Sequence, residues 1–140
     1  MVDFLDKLAQ DTKGTIESGY YNSPKGTPAF AVSLRKSIME SKKMAIIAEL
    51  KSASPSAGNI REIIDAGKIA ECMELGGAIG ISVLTEPRHF KGSLLSLNEV
   101  RKAVKLPLLM KDIILNPVQI DAAEKAGANV ILLIQALFDR

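Results

Sequence analysis

From residue 44 onward the sequence repeats one unit: an apolar run, a loop, a stretch of helical period, and another apolar run. The runs are 44–50, 78–84, 107–110 and 129–134, and three of them are nearly continuous in Ile, Leu, Val and Ala. Such runs are expected of parallel strands covered on both faces. The stretches between them carry helix punctuation. Asp65 can cap the first, which places Ile69, Cys72 and Met73 on one face and meets its stop at Gly76-Gly77. Ser96-Leu97-Asn98-Glu99 reads as a capping box opening the second, with Leu97, Val100 and Val104 pointing inward. Asn116-Pro117 opens the third and Gly127 ends it. The pattern predicts four parallel strands in successive βα units with right-handed crossovers.

Two short helices precede the repeat. Asp3 can cap the first, whose apolar residues Phe4, Leu5, Leu8 and Ile16 recur at helical spacing until the Gly/Tyr/Asn/Ser/Pro mixture of 19–28 breaks it. The second, about 33–40, presents Leu34 and Ile38 on one side. The division expected is a helical extension over 1–43 packing on a βα unit array over 44–140. Four βα units fit either a doubly wound sheet or a barrel. The loop after the first strand, 51–58, holds neither G-x-G-x-x-G nor P-loop spacing, which shifts weight to the barrel by elimination.

Charge and composition narrow the partners. Eighteen basic and 16 acidic residues are dispersed through 140, a net of +2 with no basic block, so nucleic acid is not expected as a partner. The first residues mix Asp3, Asp6, Lys7 and Asp11 with apolar side chains, unlike a signal peptide, and no apolar run is long enough to span a bilayer. A cytoplasmic protein without membrane contact is expected. One cysteine, Cys72, and one histidine, His89, are too few soft ligands for a zinc site, and Cys72 is expected to pack within its helix face.

Strand alternation places the chemistry. Ala45, Ile47, Glu49 and Lys51 share one face of the first strand, and Ile46, Ala48 and Leu50 share the other, which suits a helix layer. Glu49 and Lys51 then point into the barrel at the C-terminal end of the strand, where barrel enzymes keep catalytic groups. The same parity aligns Leu109 with Lys111 on the third strand. A carboxylate between two ammonium groups in a partly desolvated cup is an acid–base candidate, since neighbours set its protonation. The alternative is a structural Glu49–Lys51 ion pair at the rim with Lys111 solvated.

The stretch 46–58, Ile-Ile-Ala-Glu-Leu-Lys-Ser-Ala-Ser-Pro-Ser-Ala-Gly, resembles the signature of the indole-3-glycerol phosphate synthase family, E-x-K-x-x-S-P-S after an apolar strand. Further blocks match in order: Ser82-Val83-Leu84-Thr85-Glu86 with Phe90-Lys91-Gly92-Ser93, then Pro107-Leu108-Leu109-Met110-Lys111-Asp112, then Ala126-Gly127-Ala128 leading to Ile131-Leu132-Leu133-Ile134. The resemblance implies the first half of an α/β fold of the (βα)8 TIM-barrel type. It implies a lyase of tryptophan biosynthesis that closes the ring of 1-(2-carboxyphenylamino)-1-deoxyribulose 5-phosphate and expels carbon dioxide and water, without cofactor or metal.

In the family the lysine matching Lys111 is the general acid at the substrate ketone. The one matching Lys51 binds the anionic substrate and is assigned proton transfer, and the carboxylate matching Glu49 holds both lysines. Ser54 would hydrogen-bond the substrate; Phe90, Leu84 and Leu132 would form the slot for its aromatic ring. Phe90 could instead simply cover the barrel mouth, and Ser54-Pro55 could be turn chemistry. Ile113 departs from the phenylalanine usual after Lys-Asp and would loosen the ring contact.

A complete barrel takes eight units and about 250 residues. The remaining units would supply the family's second glutamate, a general base, and the loops that grip the phosphate, so these 140 residues are not expected to turn over substrate alone. Four strands by themselves leave two open edges and an exposed apolar face, which favours self-association or pairing with a second half-barrel. Two other readings are a phosphoribosylanthranilate isomerase, which leaves the Glu-x-Lys-x-x-Ser-Pro-Ser block unexplained, and a non-catalytic half-barrel kept for association.

Overall fold

The structure is a computed structural model that describes residues 4–22, 26–54, 56, 58–59 and 65–138. Its centre is a parallel sheet of β1 (Ile47–Leu50), β4 (Gly80–Leu84), β5 (Leu108–Lys111) and β6 (Val130–Ile131), each strand beside the next in sequence. Between β1 and β4 lies a two-stranded antiparallel hairpin, β2 (Ala53–Ser54) and β3 (Gly58–Asn59), where the sequence predicts only a loop. Helices α3 (Ala66–Leu75), α4 (Leu94–Ala103) and α5 (Pro117–Ala126) connect the parallel strands, and α1 (Phe4–Glu17) and α2 (Leu34–Glu40) precede them.

Register follows side-chain parity. Glu49 aligns with Ser82 and Ser82 with Leu109; Leu84 aligns with Lys111. Leu50, Ile81, Val83, Leu108 and Met110 therefore face the helices, where Leu97, Val100, Ala122 and Ala126 close the core over them. The opposite face carries Ile47, Glu49, Leu109, Lys111 and Leu132. Ile47 is 41% exposed and Leu132 36%, so this face is open among the described residues. The strands are shorter than the apolar runs suggest: Met44 stands out in solvent before β1, and Leu133 does so beyond β6.

Local signals set most helix ends. Asp65 accepts from the Lys68 N–H at 2.8 Å. Asn116 forms a reciprocal box with Gln119 at the start of α5, and Gly127 at φ +98° ends that helix in the left-handed region that glycine tolerates. Asp3, the predicted cap of α1, lies outside the described residues.

Two expectations are corrected. The cap of α4 is Ser93, not Ser96: Ser93 Oγ accepts from Leu95 N, and its own N–H donates to Leu84 O, tying the helix start to the end of β4. Ser96 falls inside the helix. Cys72 is exposed. The buried face of α3 is Ala66 and Ala70, flanked by Ile69 and Met73. Small residues win there because α3 approaches α4 closely; a Cβ on Gly67 would stand 3.3 Å from Ala103 Cβ.

The N-terminal segment reaches both ends of the sheet. Tyr21, in the stretch that breaks α1, is buried in the core with Tyr20 edge-on at 4.8 Å between ring centres. Near the N-terminal ends of the strands, fully buried Arg101 of α4 donates to Asn129 Oδ1 and to the Val104 carbonyl, and its guanidinium lies 4.8 Å from the Phe30 ring centre. Asn129 in turn donates to the Phe30 carbonyl and accepts from Leu108 N.

Candidate active site

The C-terminal ends of β1 and β5 bring the predicted charges together. Lys111 Nζ lies 2.6 Å from Glu49 Oε2 and Lys51 Nζ lies 3.9 Å from Glu49 Oε1, so one carboxylate spans two ammonium groups. Ser82, beside Glu49 in register, donates to Oε2 at 3.4 Å. All three charged side chains are about a third exposed, which leaves them paired yet reachable by a small molecule.

Next to this trio is a cavity of about 150 Å³ lined by Leu84, Phe90, Lys111, Ile113, Leu132 and Ile134, with Leu8 of α1 as one wall. Of the predicted residues, Leu84, Phe90, Lys111 and Leu132 thus share one space. Lys51 Nζ is 5.9 Å from the Phe90 ring centre, so that aromatic is oriented against the charged cluster as well. Ser54 is buried in β2, its hydroxyl 3.4 Å from that of Ser56. Ile113 is buried at the cavity wall, in the position where the resemblance puts phenylalanine.

Two acids at this end escaped the sequence reading. Asp112 is buried and accepts from Tyr21 Oη at 3.0 Å, Thr85 Oγ1 at 2.6 Å and its neighbour Ile113 N at 2.8 Å. Burial is the main influence on it and pushes its pKa up to about 6, against the pull of those donors. Burial likewise raises Tyr20 to about 12 and raises Tyr21, with the Asp112 carboxylate adding to both. Glu86, just beyond β4, is buried and accepts from the backbone N–H groups of Arg88, His89 and Phe90. The available signal was positional: polar residues immediately after an apolar strand stand at the rim of the sheet.

The loop after β4 is also held from outside. Asp11 of α1 meets His89 Nε2 at 2.8 Å and Arg88 Nη1 at 3.2 Å, and the His89 hydrogen bond lowers the Asp11 pKa. Among the described residues no cluster of three or more His, Cys, Asp or Glu side chains is disposed to hold a metal ion, and no helix is long and apolar enough to cross a membrane.

A parallel βα sheet whose strands follow one another in sequence without reversal, with its charged cluster at the C-terminal strand ends, has the arrangement of the TIM-barrel class, of which this chain supplies part. Comparison with known sequences narrows this. A sequence model described as indole-3-glycerol phosphate synthase matches residues 5–140, and the chain belongs to that family. An indole-3-glycerol phosphate synthase of Leifsonia xyli is 49% identical over 98 residues, which cover 70% of this chain and 38% of the relative. Those of Mycobacterium ulcerans and Rhodococcus jostii are 52% and 48% identical over 97 residues, each alignment covering 69% of this chain and 36% of the relative. The chain therefore spans little more than a third of the relatives it matches. The match supports this family and not the isomerase alternative.

Proposed function

We propose that this chain contributes the acid–base half of an indole-3-glycerol phosphate synthase, a lyase of tryptophan biosynthesis acting in the cytoplasm. The observation that carries the reading is the Glu49 carboxylate shared by Lys111 and Lys51 beside an apolar slot. Lys111 is the general acid. In ring closure, a bond forms between the substrate's aromatic carbon that bears the carboxylate and its ketone carbon, and the ketone oxygen takes a proton from Lys111. Carbon dioxide then leaves and its bonding pair restores the aromatic ring; the new hydroxyl departs as water after protonation, while the adjacent CH2 carbon gives up a proton to a base and its C–H bonding pair forms the double bond of the indole. An ammonium group suits this work because it both donates the proton and stabilises residual negative charge.

In this reading Lys51 holds the substrate's anionic portion and takes part in proton transfer. Glu49 keeps both ammonium groups at the cup. Phe90, Leu84 and Leu132 bind the aromatic ring and Ser54 hydrogen-bonds the substrate. The steps use only acid–base groups. The second base and the phosphate grip come from further βα units, which also cover the open face bearing Ile47 and Leu132 and the outer edges of β1 and β6. Without them the chain self-associates or pairs with a second half-barrel through that face. The domain division at residue 43 belongs to the same proposal.

Supplying 1-(2-carboxyphenylamino)-1-deoxyribulose 5-phosphate tests the activity. Indole emission from the product, read against the enzyme without substrate, reports turnover, and these 140 residues add only two tyrosines to the background. Turnover is expected once the remaining units are present and not from these 140 residues alone. A completed, folded barrel that leaves the substrate unchanged overturns the assignment. Size-exclusion chromatography with light scattering tests association, and a compact monomer at high concentration counts against it.

A further inference from the structure

The proposed chemistry makes no use of Glu86, although it is 1% exposed and stands between the end of β4 and the cavity. Its carboxylate is fully engaged with backbone. Oε1 accepts from Arg88 N at 2.9 Å, and Oε2 accepts from His89 N at 2.7 Å and Phe90 N at 3.0 Å. Its carbonyl accepts from Gly92 N at 2.8 Å. One residue thus gathers the N–H groups of the loop that ends in Phe90, and such convergent donors fix a loop that has no strand or helix ladder of its own.

The rest of the loop shows what that gathering accomplishes. Immediately after Phe90 the chain passes through Lys91 at φ +50°, a left-handed conformation rarely adopted by a side-chain-bearing residue. It then runs so close to β4 that a Cβ on Gly92 would stand 2.4 Å from Leu84 O. A turn this tight is kept only when surrounding contacts over-determine it. Phe90 is the residue delivered by the turn: its ring lines the cavity and lies 5.9 Å from Lys51 Nζ. From outside, Asp11 grips the side chains of Arg88 and His89, whereas the backbone N–H groups of the loop go to Glu86. The inner clamp is Glu86.

We propose that Glu86 is a positioning residue that acts through Phe90, setting how tightly the site holds an aromatic ring while taking no part in proton transfer. This rests on the proposed synthase reading for its substrate. The loop contribution is separable from it. Because a ring slot binds ground and transition states alike, losing it should raise KM and spare kcat.

The test is a double-mutant cycle of Glu86→Gln and Phe90→Ala in the completed barrel, assayed with 1-(2-carboxyphenylamino)-1-deoxyribulose 5-phosphate. Glu86→Gln should raise KM by about tenfold with kcat within about threefold, and should add almost nothing once Phe90 is already alanine. An equal penalty in both backgrounds, or a fall in kcat at unchanged KM, overturns the proposal. Glu86→Asp retains the charge but withdraws the oxygens by one carbon; it should fall between, and it carries the same cycle if the glutamine variant does not fold. Hydrogen exchange supplies a readout independent of any substrate. The amides of Arg88, His89 and Phe90 should exchange at least about tenfold faster in Glu86→Gln, with core strands unchanged. Unchanged exchange there overturns the clamp, whereas altered exchange in a barrel without turnover would count against the synthase reading alone.

Discussion

The two ends of the sheet each keep a cation close to the core and treat it in opposite ways. Near the N-terminal ends, Arg101 has no carboxylate among its hydrogen-bond partners: a carbonyl and Asn129 receive its terminal Nη–H groups, Phe30 covers its plane, and it is fully buried. At the C-terminal ends, Lys111 is a third exposed and bonded to a carboxylate that Lys51 also approaches. A cation committed to a carbonyl and a side-chain amide oxygen is a fastener, and burial lowers the Arg101 pKa against the pull of the Glu74 carboxylate. A cation sharing an anion with a second cation can exchange partners with an incoming anionic molecule. Under the proposed reading, pairing and access together, rather than burial alone, separate the structural charge from the chemical one.

The sharpest way to break this contrast is to remove each cation. Lys111→Ala should lower kcat in the completed barrel by roughly 10³-fold, read by indole emission, while leaving the unfolding midpoint nearly unchanged. Full turnover would end the acid assignment. Arg101→Ala should do the reverse. Vacating its site and withdrawing its donors from Asn129 Oδ1 and the Val104 carbonyl should destabilise the fold by on the order of 3 kcal/mol in urea unfolding, with kcat of the folded fraction unaltered. A loss of only a few tenths would end the fastening role assigned to Arg101.

A third prediction concerns the acid that lies beside Lys111 in sequence. The folded-state pKa of Asp112 is raised from 3.8 to about 6. The native state therefore retains a proton that the unfolded chain has released, and this residue's contribution to stability falls as pH rises from about 4 to about 6. The amount is on the order of 2–3 kcal/mol. Asp112→Asn should remove that component, so the difference in unfolding free energy between variant and parent should grow in favour of the variant across that window. A pH-independent difference would show that Asp112 titrates normally. The smallest effect is expected at Ile113, where Ile113→Phe should fill part of the cavity and lower KM by roughly threefold, measured in the same turnover assay.

Much of the architecture was legible because it is written in local pattern. The apolar runs gave the parallel strands, parity put Glu49, Lys51 and Lys111 on one face, and Asp65, Asn116 and Gly127 marked helix ends through their own side-chain or backbone chemistry. What failed depended on tertiary contact. Ser93 outcompetes Ser96 because its N–H is held by Leu84 and because an earlier start buries Leu94. The phase of α3 was misjudged at Cys72 since alanines, weak in an apolar count, are what fit against α4.

The site divides the same way. The charged trio lies on or just past the strand ends and could be placed by counting, and Leu84, Phe90 and Leu132 of the cavity wall followed from the resemblance. Tyr21, Asp112 and Glu86 could not be placed by counting. Asp112 bonds across 91 residues to Tyr21, and Glu86 acts on a loop with no periodicity to read.

Lys111 and Asp112 are neighbours that face different company: the lysine meets Glu49 and the aspartate meets Tyr21 and Thr85. A slip of β5 by one residue would exchange them, setting two carboxylates against each other in the cup and forcing an ammonium group between two hydroxyls in the interior. Either mismatch is costly, so the adjoining pair of opposite charges works as a check on assembly that favours the alignment setting Lys111 against Glu49.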